Sequence, residues 1–215
     1  EKVVVIMNSE SPDYFRSLPI DNGIVKKYQD CYAISYIGGF GPHRGVQTAI
    51  MAMPEVLQQI PSVHLLLVGS GDYESQLRDI AKVSGVEDAV EFTGWQPSSL
   101  VPSYIEASKV CLIPYSYSEH TDRSCPHKLF QYMALGKPVI VSSMKSLSRI
   151  VSESGAGLVF SADDPGALAK AIIKVCHDDD LAHSLGEAGK RAVQEKYNWD
   201  SDGAKLIDIY RELLN

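Results

Sequence analysis

One short stretch combines glycines with a fixed positive charge: Gly38-Gly39-Phe40-Gly41-Pro42-His43-Arg44-Gly45. A second, Tyr115 to Lys128, is dense in polar and ionisable side chains, and three of the six histidines (His43, His120, His127) fall in these two stretches. Gly39 and Gly41 let backbone N–H groups come close to an anion. A helix opening near Gly45 or Val46 adds its positive end, and Arg44 adds a charge able to take two phosphate oxygens at once. The chemistry this serves is a cradle for a phosphate or diphosphate. The structural alternative is a tight strand-to-helix turn with a surface arginine. Lys128 stands where a further helix begins, among unsatisfied N–H groups, and facing Arg44 it makes a diphosphate clamp. Gln131 follows at i+3, so it can share a helix face with Lys128, and its amide can hydrogen-bond ribose hydroxyls. His127, beside Pro126, is a further polar candidate.

Other chemistries are less well served. A dinucleotide fingerprint fits Gly39 and Gly41, but Gly45 comes one residue late. No acidic residue ends the second strand, where Val68 runs into Gly69-Ser70-Gly71, and Asp72 comes too late. Glu119 and Asp122 are neighbours in a loop without forming an acid–base pair, and no Ser–His–Asp arrangement is legible. The cysteines, Cys31, Cys111, Cys125 and Cys176, show no C-x-x-C spacing and no histidines at metal-ligand spacing. They read as free thiols of a reducing compartment. Cys125 is expected in an accessible polar loop, with no base to activate it.

These residues need a frame to bring them together. Short β-rich runs at 33–37, 63–68, 89–93, 110–114, 138–142 and 157–160 alternate with amphipathic segments. Several are almost continuously apolar, as strands buried on both faces are. Val46, Ala49, Ile50, Met53, Leu57 and Ile60 make a helical stripe that Pro54 is expected to kink or split. Leu77, Ile80, Ala81 and Ser84 make a second. Leu100, Tyr104 and Ala107 make a third, capped by Ser98 or Ser99. A fourth helix closes at Gly136. The pattern predicts a doubly wound parallel α/β sheet of about six strands in the order 3-2-1-4-5-6. Ligands then sit beyond the carboxyl ends of strands one and four, which is where the two unusual stretches fall. From Asp163 to Asn215 the chain reads as helical, with Asp163-Asp164-Pro165 as a cap and first turn and Asp178-Asp179-Asp180 as a solvated turn. Lys2 to Asn8 is a seventh β-like run that need not join the sheet. Residues 1–30 therefore read as the end of a preceding domain and a linker, and 31–215 as the α/β domain with its C-terminal helices.

Composition sets the limits. The 215 residues are 45% hydrophobic and 22% charged, enough for one domain with a real core. A net charge of -7 argues against nucleic acid or an anionic membrane surface as partner, while leaving room for a local basic pocket. No apolar run is long enough to cross a bilayer, and no targeting pattern opens the chain. Glu1 in place of Met suggests a processed chain or part of a longer one.

Pro126-His127-Lys128-Leu129-Phe130-Gln131-Tyr132-Met133-Ala134-Leu135-Gly136-Lys137-Pro138-Val139-Ile140 resembles the P-x-K-L-F-E-Y-M-A-x-G-K-P-V-I segment of family 4 glycosyltransferases of GT-B architecture. The strand running into Gly69-Ser70-Gly71, Phe92-Thr93-Gly94, Tyr197-Asn198-Trp199 and Val5-Ile6-Met7-Asn8 follow in family order. The resemblance implies a Rossmann-like, nucleotide-sugar-binding C-terminal domain of a cytoplasmic, hexosyltransferase-like enzyme of polysaccharide or glycoconjugate synthesis. Its substrate would be a UDP- or GDP-sugar, transferred with retention, with no metal or other cofactor required. An N-terminal domain of the same protein would supply the acceptor site, and any peripheral membrane association. Arg44 matches the family's phosphate-binding lysine, joining Gly39, Gly41 and Lys128. Gln131 matches the second glutamate of E-x7-E, which holds ribose; Gly94 and Trp95 join it on the nucleotide side. Glu119, Arg123, Ser124, Cys125 and His127 fall near the donor sugar. Three departures stand out: Gly39 replaces an arginine, Gln131 a glutamate, and Arg123 the first glutamate. They keep open a second reading, a non-catalytic module that binds a nucleotide or a partner.

Overall fold

A computed structural model describes residues 3–214. Six parallel strands form one sheet: β1 (Tyr32–Ile37), β2 (Val63–Val68), β3 (Val90–Gly94), β4 (Val110–Ile113), β5 (Val139–Ser142) and β6 (Gly157–Phe160), in the expected order β3-β2-β1-β4-β5-β6. The helices between them lie on both faces. Strand side chains alternate between two apolar layers. Ile34, Tyr36, Leu65, Leu67, Val110 and Leu112 face α3 (Val46–Gln59) and α9 (Pro165–Cys176). Ala33, Ile37, Leu66, Val68, Cys111 and Ile113 face α5 (Val101–Ala107), α7 (Lys128–Ala134) and α8 (Lys145–Ser154).

Two features of this frame create the site. First, β1 and β4 pair only at Ile34–Val110 and Ser35–Cys111, whereas β1 and β2 stay in register from Tyr32–Val63 to Ile37–Val68. Past Cys111 the two central strands part at the switch point. The Ile37 N–H, lacking a strand partner there, donates to the Tyr132 hydroxyl of α7 at 3.1 Å. Second, Gly45 has φ +66 and packs so tightly that a Cβ there would overlap the Pro114 carbonyl. This closeness brings the loop after β1 against the loop after β4, with Ser116 N–H donating to His43 O at 3.2 Å.

Several expectations change. Pro54 sits inside α3, which continues to Gln59: Val46, Ala49, Ile50, Met53 and Val56 are all buried on one face, and that burial outweighs one lost hydrogen bond. Ser98 and Ser99 do not cap α5; they form a 3-10 turn, and Leu100 occupies the cap position with no side-chain bond. Asp164 caps α9 as expected, and Asp178 is more than solvated, capping α10 (Asp179–Glu195) through Leu181 N–H at 2.8 Å. Between the opening run and β1 the chain forms α1 (Pro12–Ser17) and α2 (Asn22–Lys27); Phe15 of α1 and Tyr28, just past the end of α2, are buried against the α5 and α7 layer. Lys2 lies outside the described residues, and residues 3–8 form no strand. Their neighbourhood is fastened instead to α11 (Trp199–Leu214): Met7 N–H and Ser9 Oγ both donate to Asp202 Oδ2 at 3.3 Å.

Candidate nucleotide-binding site

A cleft of about 260 Å³ opens at the carboxyl end of the sheet, lined by Gly38 and Gly39 after β1, Gly69 and Ser70 after β2, and Trp95 and Gln96 after β3. Its floor is apolar, with Ile37, Val68 and Val101. Trp95 is 71% exposed on the rim, a flat aromatic face available for stacking. Gly94 ends β3, its carbonyl accepting from Gly69 N–H at 3.0 Å.

Two cations converge beside this cleft. The Lys128 ammonium lies 4.0 Å from the centre of the Tyr36 ring and 5.9 Å from that of Tyr115. It fills the space where a Gly38 Cβ would stand. Arg44 donates to the Tyr115 hydroxyl, its guanidinium carbon 5.1 Å from the same ring centre. Neither forms an ion pair with a carboxylate of the described residues; their partners are aromatic rings and a phenol. Burial first, and then the Arg44 charge, lower the Lys128 pKa to about 7. Burial pushes both Tyr36 and Tyr115 up, so these phenols stay neutral. An arginine and a lysine without carboxylate partners, beside a glycine-lined cleft, have the chemistry to hold a small polyanion.

The other candidates are distributed unevenly. Gly41 opens a 3-10 turn and lies under the His43 ring, outside the cleft lining. Burial, Arg44 and His120 lower the His43 pKa. Gln131 does not reach the cleft: its amide donates to Glu10 Oε2 at 3.1 Å and lines an adjoining cavity of about 210 Å³. His127 Nε2 lies 3.5 Å from the same carboxylate. Glu119 and Arg123 are exposed on α6 (Glu119–Arg123), and Ser124 Oγ donates back to His120 O at 2.7 Å. Asp122 is turned away, accepting from Lys145 N–H at 2.9 Å; that bond and the Lys145 ammonium hold its carboxyl below the usual range. Cys125 is not an accessible loop thiol. It is half-buried against the α7 and α8 layer, and burial pushes it up to about 11.

Sequence reasoning passed over Tyr36, Ser70, Gln96, Tyr115 and Glu10. Tyr115 was discoverable, since it is the first aromatic after β4 in a loop already singled out. Glu10 carried no local signal, because its partner Gln131 is 121 residues away.

With this geometry, likeness to known proteins becomes informative. A family model described as glycosyl transferases group 1 matches residues 20–192. The GDP-mannose-dependent alpha-(1-6)-phosphatidylinositol monomannoside mannosyltransferase of Mycobacterium tuberculosis is 29% identical over 172 residues, 79% of this chain and 45% of that protein. Among solved structures, Anabaena HepE in complex with UDP superposes with a TM-score of 0.83 at 17% identity, over 97% of this chain and 57% of HepE. The C-terminal domain of a group 1 glycosyl transferase (LpcC) from Francisella tularensis superposes with a TM-score of 0.70 at 16% identity, over 86% of this chain and 98% of that domain. The chain spans about half the length of the curated relatives it matches. The matched span takes in all six strands, the glycine-lined cleft and both cations, and the chain belongs to the glycosyl transferases group 1 family.

Proposed function

We propose that this chain is the donor-binding half of a family 4, retaining glycosyltransferase that moves a hexose from a UDP- or GDP-sugar to an acceptor held by a preceding domain. The observation that carries this is the pair of basic residues, Arg44 and Lys128, sharing the Tyr115 ring beside the glycine-lined cleft without a carboxylate between them. The UDP complex of HepE and the GDP-mannose dependence of the mycobacterial relative support a nucleoside diphosphate as the anion. When the glycosidic bond breaks, negative charge grows on the leaving β-phosphate. Cations already in place stabilise that charge without reorganising. Trp95 offers a stacking face for the base and Ser70 a polar edge in the cleft. The sugar-side groups and the acceptor belong to the loop after β4 and the preceding domain, so this chain alone turns over little.

Calorimetric titration of UDP and GDP tests the phosphate assignment. Arg44→Ala is expected to weaken the better ligand by about 1.5–3 kcal/mol, roughly 10- to 150-fold. Unchanged affinity would remove Arg44 from the site. Gly39→Arg tests the same pocket in the opposite direction. Gly39 is exposed, and a Cβ there would meet nothing nearer than Ser70 O at 3.9 Å, so an arginine fits without backbone strain. It is expected to tighten UDP or GDP binding about tenfold by adding a charged phosphate contact. Weaker binding would place the phosphates elsewhere.

The substitutions at Gly39 and Gln131, together with Glu119 and Arg123 pointing to solvent, favour a second reading, a non-catalytic nucleotide-binding module. Transfer or hydrolysis of a nucleotide sugar by the full-length protein decides against it.

A further inference from the structure

Glu10 precedes the span that matches the family, residues 20–192, yet its carboxylate sits at the edge of the nucleotide site. Its main chain is fastened to the start of α11: Trp199 N–H donates to Glu10 O at 3.0 Å, and Glu10 forms a bridge with Asn198. From there the side chain reaches α7. Oε1 accepts from Ser11 N–H at 3.1 Å, and Oε2 accepts from Gln131 Nε2 at 3.1 Å with His127 Nε2 3.5 Å away. Only 15% of the side chain is exposed. With Tyr14, Phe15, Ser98, Ser99 and Gln131 it lines the cavity of about 210 Å³. Ser98 also lines the cleft under Trp95, so the two spaces adjoin.

An ionised carboxylate offers about four acceptor positions and no donor. Two are taken by hydrogen bonds from Ser11 and Gln131. The remaining capacity faces a cavity, and leaving it unpaired under a ligand is costly. A second anion is repelled there and an apolar group leaves lone pairs bare; hydroxyls satisfy it, and a vicinal diol supplies two. The position along α7 narrows the choice. Gln131 lies one turn from Lys128, about 5–6 Å between Cβ atoms. A diol carried one helical turn from a phosphate, as in a nucleoside diphosphate, fits this spacing.

We propose that Glu10 is a ribose-binding residue: its carboxylate, aimed by Gln131 and His127, accepts the ribose hydroxyls while Arg44 and Lys128 hold the diphosphate. This rests on the nucleotide-sugar assignment above. A carboxylate missing at position 131 is thus delivered from the segment ahead of the domain, and bound ribose would link that segment, α7 and the root of α11.

The test compares UDP and GDP with their 2′,3′-dideoxy analogues by calorimetry on the full chain and on Glu10→Gln. The expected result is selective: Glu10→Gln weakens the ribonucleotide about 10- to 100-fold and the dideoxy analogue little. Glu10→Asp keeps the charge and main-chain ties but withdraws the carboxylate, and should give the same selective loss if Glu10→Gln does not fold. If the unaltered chain binds the ribonucleotide while neither variant separates it from the dideoxy form, Glu10 has only a structural role and the nucleotide assignment stands. If the unaltered chain binds neither UDP nor GDP, the nucleotide assignment itself falls, and Glu10's role with it.

Discussion

Gly45→Ala is expected to destabilise the fold by about 2–5 kcal/mol and to loosen the anion site in the same step. Two costs add. The αL conformation at φ +66 disfavours any residue with a Cβ, by about 1–2 kcal/mol. The new methyl would also overlap the Pro114 carbonyl oxygen, and 3.0 Å away lies Ser116 N, so backbone on both sides must move. Gly85→Ala isolates the first cost: its φ is +65, but no atom lies within 4 Å of the Cβ position. Denaturant unfolding of both variants should show Gly45→Ala losing clearly more, with a fall in Tm of roughly 5–15 °C. Equal losses would mean that the contact between the loops after β1 and β4 contributes nothing to stability. Because Arg44 is the adjoining residue and donates to Tyr115, the same displacement should draw its guanidinium away from Tyr115 and is expected to lower nucleotide affinity.

That contact also shows what was legible in advance. Gly39, Arg44 and Lys128 could be expected near one another because apolar runs announced six parallel strands and the doubly wound order put strands one and four side by side. Period and topology are local and general, and they carried the argument that far. They did not carry the surroundings of each charge. That Lys128 lies over the Tyr36 ring depends on the tilt of α7, which the Tyr132–Ile37 hydrogen bond fixes across 95 residues. That Cys125 is half-buried depends on how the loop after β4 folds onto the α7 and α8 layer. Pro54 obeys local stereochemistry, but tertiary burial on the α3 face overrides it. Glu10 is the extreme case: a residue in a polar, irregular stretch gains its neighbours only when α1 and α11 bring that stretch to α7.

Lys128→Met is expected to make the ligand-free protein more stable and nearly unable to bind a nucleoside diphosphate. The two effects have one origin. Burial, with Arg44 adding to it, lowers the Lys128 pKa from 10.5 to about 7. The unfolded chain holds that proton up to the ordinary value, so between pH 7 and 10.5 the unfolded state binds more protons than the native state. Lys128 thus penalises the native state fully below pH 7, and the penalty fades as pH rises toward 10.5. A methionine, similar in length and uncharged, removes it, for a gain on the order of a few kcal/mol at pH 7. The advantage over the unaltered protein should shrink at pH 9–10, which unfolding curves at the two pH values can measure. Ligand binding reverses the sign. A diphosphate favours the charged ammonium and raises its pKa, so binding takes up a proton above pH 7, and affinity falls with rising pH by up to tenfold per unit. Calorimetry between pH 7.5 and 9, in buffers of different ionisation enthalpy, should detect that proton uptake in the unaltered chain and not in Lys128→Met. A methionine variant that is no more stable, or that keeps both affinity and pH slope, would show that the ammonium is solvated and stands apart from the phosphates. Tyr36 and Tyr115 stand beside an ammonium that has no carboxylate partner among the described residues, and a bound anion is expected to offset the cost of burying its charge.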